Sequence, residues 1–66
     1  MPLGTRHELI GLLLEDRGSL VLDVDDGGTW RLDAGRGARR LLGERVRVEG
    51  VRDGFDLLAV ERIDRA

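Results

Sequence analysis

Sixty-six residues with no cysteine allow a single domain, 1–66, and exclude disulfide staples and thiolate metal sites. Lysine and arginine total 11, all arginine, against 13 carboxylates; the net charge of −2 excludes the basic excess that sequence-independent nucleic-acid binding draws on. A chain this short buries only about 60% of its unfolded surface, so stability must come from an efficient core or from association with another chain.

The opening residues, MPLGTRHE, lack a basic region followed by an apolar run, so no signal peptide is expected. The apolar run Leu12–Leu14 is far too short to cross a bilayer, and a soluble, cytoplasmic protein without membrane contacts is expected. Residues 1–4, with Pro2 and Gly4, read as a loose lead-in.

From Thr5 to Glu15 both strand faces are apolar: Leu9 and Leu13 on one, Ile10, Leu12 and Leu14 on the other. A long first strand bent at Gly11, each half serving a different part of a barrel, accounts for both; a helix is the competing reading. After a tight turn at Asp16–Gly18, Leu20, Leu22 and Val24 alternate with polar residues, and Thr29–Asp33 forms the other arm of a hairpin. A three-residue loop of Asp26, Gly27 and Gly28 pairs Val24 with Trp30, Leu22 with Leu32 and Asp23 with Arg31, keeping core and solvent sides apart.

The glycine-loosened stretch Ala34–Leu42 predicts about one helical turn over Ala38–Leu42, with Leu41 and Leu42 covering a barrel end and Gly43 stopping the turn. In Glu44–Arg52, Val46 and Val48 alternate with charged residues, the clearest strand signal in the chain. An Asp53-Gly54 hairpin turn then leads into a strand from Phe55 to about Ile63, with residues 64–66 fraying. A β-bulge at Gly50 brings Val48 opposite Leu58 and Val46 opposite Val60. The order of strands, with a short helical turn between the third and fourth, predicts an all-β, five-stranded OB-like Greek-key barrel; an SH3-like barrel is the alternative.

Several segments carry a resemblance: Gly4–Leu9 with Gly11, Trp30–Asp33, Arg45–Arg52, and Gly54–Leu58 with Val60 and Ile63. Through them the chain resembles a family of small bacterial proteins, a domain of unknown function with an OB-like barrel. The resemblance implies a barrel and transfers no catalytic activity.

The residues themselves argue for a binding module rather than an enzyme. His7 is the only histidine, and its neighbour Glu8 falls on the opposite strand face, so a general base has no evident partner and a metal too few ligands. Asp23, Asp25 and Asp26 before Gly27-Gly28 resemble part of a calcium loop, but the twelfth position counted from Asp23 is Ala34 rather than glutamate. No metal or cofactor is expected. Trp30 is expected inside with Leu22, Leu32 and Val24, and Phe55 outside beside its turn.

Two surfaces stand out. Val21 and Leu57 face outward, with Leu13 or Leu9 joining them, near strand edges; they predict a protein-interaction or homo-oligomerisation surface. Arg36, Arg39, Arg40, Arg45 and Arg47 form the alternative, an anion patch for weak single-stranded nucleic-acid binding, countered by paired carboxylates and an acidic outer face on the second and third strands.

Overall fold

The structure, a computed structural model, describes residues 4–66. Five strands, β1 (Arg6–Asp16), β2 (Ser19–Val24), β3 (Thr29–Asp33), β4 (Arg45–Arg52) and β5 (Leu57–Arg65), close into one barrel in the order β1-β2-β3-β5-β4. All neighbours are antiparallel except β3 and β5, which run parallel. A 3₁₀ turn, Arg36–Leu41, lies between β3 and β4.

β1 is long because it serves two neighbours. Arg6–Leu12 pairs with β4 and Gly11–Asp16 with β2, so the strand changes partner at Gly11 and Leu12. Gly11 is the residue that permits this: a Cβ there would collide with the carbonyl oxygen of Asp23 and lie 2.8 Å from Val24 Cα. Gly50 allows a similar close approach in β4, where a Cβ would meet the carbonyl of Ala59 and lie 3.1 Å from Leu58 Cγ. The expected long first strand, each half serving a different part of the barrel, is found, and the helical alternative for residues 8–15 is not.

With Gly11 inward, Leu9 and Leu13 face the interior and pair with Val48 and Leu22. Leu13, Leu22, Val46, Val48 and Leu58 are fully enclosed at 0% exposure. Burying each aliphatic side chain contributes about 1.5–3 kcal/mol relative to leaving it in water. Trp30, Val60 and Ile63 are half-buried and packed against this cluster, in line with the inward placement of the indole.

Two registers differ from those expected. In the first hairpin Leu22 lies opposite Trp30, Leu20 opposite Leu32 and Asp23 opposite Thr29. The loop is one residue earlier than expected: Val24 N donates to Gly28 O, Gly27 N donates to Val24 O, and Gly27 takes φ +106°. The partners therefore slip by two residues, which leaves each side chain on its expected face because the pleat repeats every two. Between β4 and β5, Val48 meets Ile63 and Val46 meets Arg65. The irregularity does fall at Glu49/Gly50, but the unpaired residue is Glu61, on β5.

The cause of the second difference is the tip between these strands. It is not a two-residue Asp-Gly turn but the longer segment 53–56, closed by Asp53 N donating to Leu57 O. β5 consequently begins at Leu57 and runs to Arg65, with Ala66 N donating to Arg45 O, so residues 64–66 are not frayed. Gly4, also expected to be loose, donates its N–H to Arg52 O; Met1–Leu3 lie outside the described residues. The helical turn starts two residues earlier than expected, burying Ala38 and Leu41, and Gly43 ends it with φ +82°.

Candidate interaction surface

Turning Leu9, Gly11 and Leu13 inward obliges Ile10, Leu12 and Leu14 to point out. Leu12 and Leu14 remain 39% and 38% exposed, and Ile10 is half-buried. Leu14 lies opposite Val21 on β2, Val21 opposite Arg31 on β3, and Arg31 opposite Leu57 on β5. The two residues expected to form an apolar surface thus share one lateral row, Leu14–Val21–Arg31–Leu57, and both are half-buried. Leu13 and Leu9, expected as possible companions, face the core, and Leu12 and Leu14 take their place. The triple leucine at 12–14 guarantees outward leucines whichever face is inside; the inward position of Gly11 decides which.

The row is bordered by ion pairs of both signs. Arg31 donates from Nε and Nη2 to Asp56 Oδ1 at 3.1 and 2.9 Å, Arg39 donates to Glu15 at 2.5 Å, Arg47 lies 3.3 Å from Glu8, and Arg45 grips Asp25. All five strands join the closed barrel, so the apolar row lies on a sheet face rather than along a strand edge as the sequence suggested. On β2 and β3 the remaining outward positions, Ser19, Asp23, Thr29 and Asp33, are polar and exposed.

The five arginines considered as an anion patch are divided. Arg36, Arg39 and Arg40 share the 3₁₀ turn, whereas Arg45 and Arg47 lie on β4 opposite Leu12 and Ile10. Arg39, Arg45 and Arg47 are each engaged by a carboxylate, and Arg39 also donates to Gly18 O at 2.6 Å. Among the described residues, Arg36 and Arg40 have no carboxylate partner.

Closer to the barrel seam, Glu44 accepts two hydrogen bonds from Arg65, at 2.6 and 3.2 Å. This contact holds the Glu44 carboxyl below its ordinary range and raises Arg65, while Asp25 raises Arg45. His7 lies inside, its ring 5.0 Å from that of Trp30, and its Nε2 is buried without a hydrogen-bond partner among the described residues. No group of three or more His, Asp or Glu among the described residues is arranged to hold a metal ion, and no helix there is long and apolar enough to cross a membrane.

Phe55 is the most exposed hydrophobic side chain among the described residues, at 89%. Its backbone, by contrast, is clamped: Arg52 donates from Nε to Gly54 O at 2.9 Å and from Nη2 to Phe55 O at 2.8 Å, with its guanidinium carbon 5.9 Å from the ring centroid. Arg31 N donates to Asp56 O at 2.8 Å.

Over residues 10–66 the chain matches the family described as a protein of unknown function, DUF5818, and it belongs to that family. No curated protein and no solved structure matches it.

Proposed function

We propose that this member of the DUF5818 family is a non-catalytic binding barrel of the OB type that self-associates through the outer row centred on Leu12, Leu14, Val21 and Leu57. The OB assignment is supported by the strand order β1-β2-β3-β5-β4 with a short helix between β3 and β4. The observation that carries the functional reading is the pair Leu12 and Leu14, outward-facing leucines beside Val21 in a domain whose core is already filled by their neighbours.

A second copy suits this face for two reasons. The border mixes arginine and carboxylate, so the patch can meet its own image across a two-fold axis without opposing like charges throughout. A stable interface takes about 800 Å² from each partner, roughly a sixth of the 4509 Å² surface, and the row crosses four strands. Association would also give a 66-residue chain the burial that its size withholds.

Sedimentation across a concentration series tests the reading: the native chain associates more tightly than the L12E/L14E double variant, which stays folded but lacks the contact through this face. Equal association of both chains would sink it. Weak nucleic-acid binding is the second reading, favoured by the unpaired Arg36 and Arg40; it requires oligonucleotide binding that falls steeply with added salt.

A further inference from the structure

Two features, one before β5 and one along its middle, remain unused by the face described above. One is the Phe55 tip. The other is a groove of about 250 Å³ between the 3₁₀ turn and β5, floored by Ala34, Gly35, Gly37 and Ala38 and walled by Val60 and Ile63. Its charged rim consists of Arg40, Glu61 and Arg62. Arg6 neutralises Glu61 at 2.6 Å and Asp64 neutralises Arg62 at 3.0 Å, so Arg40 supplies the uncompensated charge. At the tip, Asp53 is an exposed carboxylate with no ion-pair partner among the described residues.

We infer that the Phe55 tip of one copy seats in this groove of a second copy, with Asp53 facing Arg40, giving a head-to-tail contact independent of the Leu12–Leu14 face. A cavity of about 150 Å³ already accepts a benzene ring, so the groove has room for the phenyl group. The tip is pre-organised, since Arg52 and Asp53 fix its backbone and only the ring's rotation is lost on docking. In its own barrel the Phe55 ring is 89% exposed and so lies outside the groove, which leaves it free to enter the groove of a second copy. Contact between unlike patches propagates into rings or open chains rather than closing as a dimer.

The test uses the L12E/L14E chain, which lacks the lateral contact, so that failure of either idea is read separately. In sedimentation this chain is expected to form concentration-dependent oligomers, and Phe55→Ala to weaken them at least about tenfold, as for an anchoring aromatic. Gly37→Phe fills the groove from within; a Cβ at Gly37 meets nothing within 4 Å, so the variant is expected to fold, as its thermal midpoint checks. At a concentration where the parent associates and each variant alone is monomeric, their mixture forms a one-to-one dimer and nothing larger, because one sound tip meets one sound groove. D53R and R40D should each weaken association, and the double swap restore it.

A parent that stays monomeric, oligomers indifferent to Phe55→Ala, or a mixture that does not pair would overturn the inference. So would Phe55-dependent binding of an oligothymidine by a chain that remains monomeric, which would make the ring a base-stacking platform.

Discussion

The two faces of β1 are equally apolar and do different work. Inward, Leu9, Gly11 and Leu13 fit against Val48, Val46 and Leu22, and Leu13 has no solvent exposure at all. Outward, Leu12 and Leu14 stay 39% and 38% exposed, and Ile10 is half-buried. The inner face is explained by the fold, because removing any part of it opens the core. The outer face is left over after the fold has been accounted for, and that surplus is what points to a contact with another molecule.

The contrast can be broken most forcefully at Gly11. Gly11→Ala drives a methyl group into the β2 backbone at Asp23, an obstruction no rotamer change relieves. Its cost should exceed the roughly 1–3 kcal/mol usual for overpacking, and loss of the cooperative urea transition followed by Trp30 fluorescence is the expected result. Next comes the matched pair Leu13→Ala and Leu12→Ala. The first should lose about 2–5 kcal/mol and the second about 0.5 kcal/mol or less in the monomer, so comparable losses would erase the distinction between the faces.

The smallest effect lies at the seam. Because Arg65 lowers the Glu44 pKa in the folded chain, the contact contributes stability above the ordinary carboxyl value of 4.5 and loses it as pH falls through the lower folded value. The stability gap between the native chain and Glu44→Gln should therefore be flat near neutrality and close below pH 4.5. Urea midpoints measured at several pH values check this.

Most of the barrel was legible in the sequence, because alternation determines which face each residue takes. Val46 and Val48 are inside, and so are Leu20, Leu22 and Leu32. Alternation is blind to slips of two, however, and the hairpin moved by that amount without turning a side chain over. The larger displacement of β5 goes with the longer 53–56 tip, closed by Asp53 N donating to Leu57 O and held by Arg52 on the carbonyls of Gly54 and Phe55, contacts that no periodicity encodes. The apolar row was half legible: Val21 and Leu57 follow from their strands' alternation, but Leu12 and Leu14 depend on the orientation of a strand apolar on both sides. The arginines were read as one group because they are near in sequence. The 3₁₀ turn and β4 carry them apart, and carboxylates from Glu8, Glu15 and Asp25 engage three of them.

The parallel pairing of β3 with β5, together with the antiparallel pairing of β5 with β4, makes Leu57–Arg65 the stave that seals the barrel. It is also the last of the five to leave the ribosome. Until it emerges, the flanks of Thr29–Asp33 and Arg45–Arg52 have hydrogen-bonding groups with no neighbour to take them up, and the nascent chain is at its stickiest. At about 5–20 residues per second, that vulnerable interval lasts on the order of a second, after which β5 has joined β3 to β4 and the ring of strands is complete.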